Sequence, residues 1–306
     1  MFPAPPLTAG RGRLRALLAA ASAVSLSALL VMVSPAPDAP GTARPEDRTL
    51  TVATWNTCGV RRWGCAGTGS EAAKGRAVRR LVDAGAGVLL LQETCVRSAE
   101  SMREALGRSW NLSFLPYTWR DVNGRVLTVR CDGAGSGPAG LAILSSHPLS
   151  AVREVSSPQP VVGLRRGILC ATVAAHGVRI CNAHLSTPGS DRAEPDREYR
   201  DGQLRALVAA VPARNTVFGG DLNLRPPTAD GSSVRLWPFT AYRTHRECDQ
   251  TSATGRSGRA THESGHKLDY LFTGLRSKRC AVYDTGVSDH RALLIQVDMR
   301  ADADTG

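Results

Sequence analysis

An α/β fold is predicted by two strand–helix–strand units that repeat one pattern, and by the polar residues that close their strands. In the first unit TLTVATWN (49–56) alternates as a half-buried strand does, EAAKGRAVRRLVDAG follows with helical spacing, and GVLLLQE (87–93) is an apolar run ending in Glu93. In the second, VRICNAHLS (178–186) leads into REYRDGQLRALVAAV (197–211) and then TVFGGDLN (216–223). Size agrees: 306 residues, 42% of them hydrophobic, suffice for one large domain with its own core.

Ahead of these units the chain reads differently. Arg11, Arg13 and Arg15 precede a charge-free run from Ala16 to Val33, and SPAPDAPGTARPEDR follows. A basic stretch, an apolar stretch and a Pro/Ala-rich exit are the parts of a signal peptide, here residues 1–43 with cleavage after Ala43. Eighteen uncharged residues also reach the length of a membrane span, so an uncleaved N-terminal membrane anchor is the alternative. Both readings place the body outside the cytoplasm, the first as a secreted protein. GLAILSSHPL (140–149), RRGILCATV (165–173), KLDYLF (267–272) and SDHRALLIQV (288–297) are further strand-like stretches. No linker divides residues 44–300, which are read as one catalytic domain, and residues 301–306 are expected to be a frayed tail.

Eight cysteines, all beyond the leader, fit an oxidising compartment. Cys58 and Cys65 bracket a short Arg/Gly loop. If Ala174 to Gly177 form a hairpin loop, Val173 faces Val178 and Cys170 faces Cys181, so these two pairs are the expected disulfides. Cys95 with Cys131 and Cys248 with Cys280 are what remains of the 105 pairings that eight cysteines allow. No CxxC pair occurs to suggest zinc. Without residues 1–43, which hold three arginines and one aspartate, the formal net charge falls from +11 to +9. That surplus suits polyanions such as nucleic acid or an acidic membrane, though solvated surface arginine would give it too.

In open α/β sheets ligand sites gather beyond the carboxyl ends of strands. Asn56, Glu93, Asn182, His184, Asp221 and Asn223 are therefore expected to converge, with Asp269, Asp289 and His290 at the entrances of later strands. Buried carboxylates are costly unless paired or bound to metal, and hard oxygen ligands suit Mg²⁺. Two histidines add proton transfer near neutral pH. Together these parts can hydrolyse a phosphate ester by in-line attack of water. Each residue also has a plainer reading: the asparagines as turn residues, Glu93 paired with Arg97, Asp269 paired with Lys267, His184 as a core histidine. His245, His262 and His266 match no motif and are read as surface residues; HESGH is not the HExxH zinc pattern.

The stretches TWN (54–56), LQE (91–93), GLAILSSHPL, NAHL (182–185), GGDLN (219–223), KLDYLF and SDHRAL (288–293), in that order, resemble the endonuclease/exonuclease/phosphatase superfamily. This group includes pancreatic-type deoxyribonucleases, neutral sphingomyelinases and inositol polyphosphate 5-phosphatases. The resemblance implies a four-layer α/β/β/α sandwich, two mixed sheets packed face to face with helices outside. It implies that Glu93 binds a metal, Mg²⁺ first with Mn²⁺ or Ca²⁺ as alternatives, with Asn56 beside it and Asp289 assisting. Asp221 and Asn223 would hold the attacking water and the phosphate, and His290 would be the general base oriented by Asp269. His184 would contact the phosphate or protonate the leaving oxygen, and Asn182 and Arg166 would bind phosphate. LQETC lacks the lysine, and NAHL the tyrosine, of the exonuclease III-like branch, which moves the chain toward the deoxyribonuclease and sphingomyelinase side. Only Trp237 and Phe239, in RLWPFTAY, offer a small aromatic loop for membrane docking. The expected protein is an exported, metal-dependent phosphodiesterase and a monomer, acting on nucleic acid. A phospholipid hydrolase of the sphingomyelinase or phosphoinositide phosphatase type is the alternative, and a silent binding module the third reading.

Overall fold

The computed structural model describes residues 49–65, 68–133, 135–227 and 232–299, so the expected leader and the expected frayed tail lie outside the described residues. The strands are β1 (Thr49–Asn56), β2 (Val88–Cys95), β3 (Asn111–Pro116), β4 (Thr118–Arg120), β5 (Val126–Thr128), β6 (Ala139–Ser145), β7 (Leu149–Glu154) and β8 (Gly163–Arg165). They continue with β9 (Ile168–Val173), β10 (Val178–His184), β11 (Thr216–Asp221), β12 (Arg246–Glu247), β13 (Asp269–Thr273), β14 (Arg276–Tyr283) and β15 (Ala292–Asp298). The helices are α1 (Glu71–Asp83), α2 (Val96–Leu106), α3 (Arg200–Ala209) and α4 (Phe239–Thr244). None of them is long and apolar enough to cross a membrane.

Two six-stranded mixed sheets result, in the orders β14-β15-β1-β2-β6-β3 and β12-β13-β11-β10-β9-β7, with a small third sheet β5-β4-β8. Strand alternation explains the layers. Leu50, Val52, Leu90, Ile143, Val178, Ile180, Val217, Leu271 and Ile295 turn inward and form the core between the sheets. The alternate residues Ala53, Trp55, Leu89 and Leu91 turn outward onto Ala77, Val78 and Leu81 of α1 and Ala99 and Met102 of α2. On the other side Cys170, Cys181, Phe218 and Phe272 meet Leu204 and Leu207 of α3 and Ala241 and Tyr242 of α4. The expected four-layer sandwich is the observed one. Ser70 caps α1 by accepting the Ala73 amide hydrogen, which fixes where that helix starts.

Topology sets the place of the site. β1 runs parallel to β2, and β10 parallel to β11. β15 is antiparallel to β1, and β13 to β11. The carboxyl ends of four central strands and the amino ends of two others therefore share one rim. The hairpin register also holds: Val173 lies opposite Val178 and Cys170 opposite Cys181. The structure joins Cys58 to Cys65, Cys95 to Cys131, Cys170 to Cys181 and Cys248 to Cys280.

Toward that rim the inter-sheet core turns polar. Gln92 donates to Thr54 Oγ1 (2.9 Å) and to Asn182 Oδ1 (2.6 Å), while Asn182 Nδ2 donates to the carbonyls of Leu91 and Ala142 at 2.9 Å each. Asn182 is thus a bolt between the sheets. It shares a face with His184 but sits one strand period deeper, with its amide occupied, so the structure does not place it as a phosphate contact. Trp237 is corrected as well: it packs on Tyr242 and Tyr270 in the outer core, and Phe239 is the exposed aromatic of that loop.

Replacing Asn182 by Ala strands the Gln92 amide and two buried carbonyls. Urea unfolding should show a loss of about 1–3 kcal/mol with an unchanged m-value. Substrate KM should stay near wild type, whereas a large rise in KM would restore Asn182 to the phosphate site.

Candidate active site

The backbone at the rim is shaped for function. A Cβ on Gly219 would sit 1.8 Å from the Tyr270 carbonyl oxygen, and Gly220, at φ +132°, leaves no room for one beside the Ala183 carbonyl. Only glycines let β11 pass this closely between β10 and β13 and deliver Asp221 to the rim. Glu93 and Asn223 both hold left-handed conformations, φ +49° each, which non-glycine residues adopt at a cost. At Glu93 the strain coincides with a break in register between β2 and β6, between Leu91 and Thr94, which re-aims its side chain.

Asp221 is the centre. Its Oδ2 accepts the Asn56 amide at 3.0 Å, lies 3.3 Å from His184 Nε2 and lies 3.8 Å from His290 Nε2; its Oδ1 accepts the Asn223 backbone N–H at 3.0 Å. The other nitrogen of His290 is 2.8 Å from Asp269 Oδ2, and the Trp55 indole donates to the His290 carbonyl at 3.2 Å. Glu93 lies 3.9 Å from His184 Nε2 and 4.0 Å from Arg166. Of the expected site, Asn56, Glu93, Arg166, His184, Asp221, Asp269 and His290 converge, and Asn182 does not. Asn223 turns its side chain to the Leu185 carbonyl. Neither plainer pairing occurs: Arg97 pairs with Glu100, and Lys267 with Glu247 and Asp249.

Two residues at the site carry no motif. The Tyr117 hydroxyl accepts the Glu93 N–H at 3.1 Å, so its own hydrogen points at His184 Nδ1, 2.8 Å away. This makes Nδ1 the acceptor and leaves the His184 hydrogen on Nε2, toward Asp221, in close contact but off the line of a hydrogen bond. His262, read from sequence as a surface residue, packs edge-on against His290 with ring centres 4.6 Å apart and brings Nε2 to 3.6 Å from Asp289. Its Nδ1 accepts the Ser264 N–H, so Nε2 is the donor toward Asp289. His245 is also buried, against Phe218, whereas His266 contacts Arg225. Tyr117 and His262 come from segments without periodicity, which is why strand reasoning passes over them.

Electrostatics follow from burial. Desolvation raises Glu93 to about 7, with Arg166 only partly offsetting it. Desolvation lowers His184 to about 4 and Arg166 adds to the effect, so His184 is neutral. At His290 burial disfavours the cation, but Asp269 and Asp221 outweigh it and raise the imidazole to about 10. Burial alone would raise Asp221, yet His290, His184 and Asn56 hold it well below the usual carboxylate range. The donor set suits a divalent cation: Glu93 is a buried carboxylate whose nearest cation stands 4.0 Å off, Asn56 Oδ1 accepts, among the described residues, only the Cys58 N–H at 2.9 Å, and the Asp289 carboxylate lies at the entrance of β15, 3.6 Å from His262. Cys58 and Cys65, beside Glu93, offer no thiolate to such a cation, because those sulfurs are bonded to each other.

The sequence pattern of the Endonuclease/Exonuclease/phosphatase family matches residues 53–290, and the chain belongs to that family, whose members are phosphoesterase hydrolases. No curated protein sequence matches the chain. Among solved structures, the human nocturnin catalytic domain with bound sulfate is 16% identical, covers 81% of this chain and 93% of its own, and has a TM-score of 0.58. The 3′-5′ exonuclease NExo from Neisseria meningitidis, 16% identical, covers 81% of this chain and all of its own at a TM-score of 0.55. D. rerio TDP2 complexed with a single-strand DNA product, also 16% identical, covers 81% and 98% at 0.52. These likenesses establish the fold.

The raised Glu93 gives a signed prediction for protein held in chelator. Between its unfolded value of 4.5 and about 7 the folded state binds the extra proton, so stability falls as pH rises through that window. Above pH 7 the charged Glu93 costs on the order of 3 kcal/mol. Glu93→Gln should therefore melt higher than wild type at pH 8, with the difference vanishing toward pH 4.5. A variant that melts lower at pH 8 would mean that Glu93 is well compensated without a cation.

Proposed function

We propose that this member of the family is an exported, metal-dependent phosphodiesterase that acts on nucleic acid. The observation that carries the reading is the line from Asp269 through His290 to Asp221, placed beside Glu93, His184 and Arg166 on one rim. A bound Mg²⁺, held by Glu93 with Asn56 and Asp289, would polarise a phosphoryl oxygen; Mn²⁺ or Ca²⁺ would take the same donors. Asp269 fixes the His290 ring with Nδ1–H inward, leaving Nε2 to take a proton from the attacking water. Asn56 and the Asn223 N–H hold Asp221 where it can orient that water. His184, kept neutral with its hydrogen on Nε2 by Tyr117, donates toward the phosphate or the leaving oxygen. Arg166 offsets phosphate charge. A cation held in the cleft would oppose the imidazolium and so lower His290 from its raised value, the direction that frees Nε2 as a base.

Export is supported by the leader-like sequence of residues 1–43 and by four disulfides in the body. Nucleic acid is supported by the basic net charge and by family relatives whose structures hold DNA products. We expect a monomer. The deciding assay sets purified protein with Mg²⁺ against plasmid DNA, RNA, sphingomyelin and phosphoinositides side by side. DNA or RNA cleavage that stops in chelator and weakens steeply with salt supports the reading. A flat salt response with faster sphingomyelin turnover would replace it by the lipid alternative.

His290→Ala and Asp269→Ala should each lower kcat by about 10²–10⁴-fold, with circular dichroism unchanged. The two act as one unit, so the double variant should be little worse than the worse single. Near-normal activity of folded His290→Ala would remove the proposed base.

A further inference from the structure

Beside the catalytic rim lies a cavity of about 400 Å³, walled by Trp63, Trp119, Leu127, Val129 and Leu164 and edged by Arg62 and Arg130. It lies within the size range of small-molecule sites. Trp63 belongs to the short turn Arg61–Trp63, closed off by the Cys58–Cys65 disulfide, and Trp119 and Leu127 face it from the small sheet of β4, β5 and β8. The cavity touches the catalytic residues through two contacts. Trp63 packs on Tyr117 with ring centres 5.9 Å apart, and Tyr117 holds His184; Arg166, which faces Glu93, lies 6.0 Å over the Trp63 ring. β8 carries Leu164 in the cavity wall and leads directly into Arg166.

The walls offer indole and aliphatic surface with only Thr128 as a polar side chain, which suits a flat, largely apolar group. The surroundings are cationic. Residues 57–65 and 117–132 contain Arg61, Arg62, Arg120, Arg125 and Arg130 against Asp121 and Asp132 alone. Arg62 is ion-paired to Asp132 at 2.6 Å, so the surplus rests on the other four. Arg62 and Arg130 edge the cavity and Arg192 lies 4.6 Å over the Trp119 ring, and an aromatic seat with guanidinium groups at its margin is an arrangement that holds a base by stacking and a flanking phosphate by charge. A paired base could not enter, because its edges are occupied and its faces already stacked.

We propose that this cavity seats one unpaired nucleobase next to the scissile phosphate, so that the preferred substrate is single-stranded or frayed nucleic acid. The proposal rests on the phosphodiesterase reading above. The test measures cleavage of a single-stranded oligonucleotide and of its duplex by wild type, Trp119→Ala and Trp119→Phe, together with a series of single strands that each lack one base. Trp119→Ala should raise KM for the single strand about 5- to 150-fold, the range of one lost stack, with kcat nearly unchanged and duplex cleavage unaffected. Trp119→Phe should recover most of the loss. One abasic position should weaken wild type equally and add nothing in Trp119→Ala. Equal KM increases on single strand and duplex, no abasic position of effect, or a Trp119→Ala defect confined to sphingomyelin vesicles would each overturn the seat. Failure of wild type to cleave any nucleic acid would instead overturn the parent reading. A parallel Trp63→Ala variant, checked for folding by circular dichroism, repeats the measurement from the opposite wall; a single-strand KM unchanged in both folded alanine variants also overturns it.

Discussion

Burying one carboxylate, Asp221, is the constraint around which the rim is built. An isolated charge taken from water is unstable in a protein interior. Asp221 is tolerated because the opposite sheet supplies the Asn56 amide, its own sheet supplies His184, the segment leading into β15 supplies His290, and the next turn supplies a backbone N–H. Its partners thus come from both sheets and two further segments. Closing the sandwich and assembling the site are the same event, and a sheet displaced by one residue would leave the charge unpaired. The two glycines before it are the backbone form of that constraint, since they let β11 approach both neighbours closely enough for one oxygen to reach residues of each sheet.

A graded interior makes this tolerable. Far from the rim the sheets meet through Val52, Val178, Val217 and Ile295; nearer to it Thr54, Gln92 and Asn182 bond one another and the backbone. The ionisable groups come last. Polarity rises in steps toward the rim, and the polar bolt between the sheets helps hold the register that Asp221 requires. The disulfides do comparable work at the edges: Cys58–Cys65 closes the turn after Asn56, and Cys95–Cys131 ties the end of β2 to the segment after β5.

Most of this was legible where side-chain period and chain direction coincide. β1 begins and ends at the expected residues, the β9–β10 hairpin has the expected register, and the strand-terminal residues meet because parallel strands bring their carboxyl ends together. Asn182 shows the limit. Alternation says correctly that it shares a face with His184, but not that two residues of depth separate a rim from an interior. Tyr117 and His262 show another, for they arrive from a strand junction and from the long 248–268 loop, where no period relates sequence to position. Lys74 is a third: a lysine in an amphipathic helix reads as exposed, yet α1 turns it inward to donate to the Cys58 carbonyl at 2.8 Å, where it is almost fully buried.

The charge balance of the rim argues for a cation independently of any family likeness. Glu93, Asp221, Asp269 and Asp289 contribute four acids within one cluster of contacts, against Arg166, Lys74 and the imidazole of His290. Burial raises Glu93, with Asp221 adding to it, and Asp269 and Asp221 raise His290 against its own burial, so without a further cation both groups favour holding a proton. A proton on His290 disables it as a base, and a phosphodiester brings one more negative charge to the same place. A divalent cation beside Glu93 would remove both difficulties: it would displace the proton from the carboxylate, and it would oppose the imidazolium while matching the phosphate. Burial at Glu93 and the neighbouring acids at His290 thus both favour a cation on this rim, and on the proposed function the arginines beyond it would offset the repulsion between the acids and a polyanion.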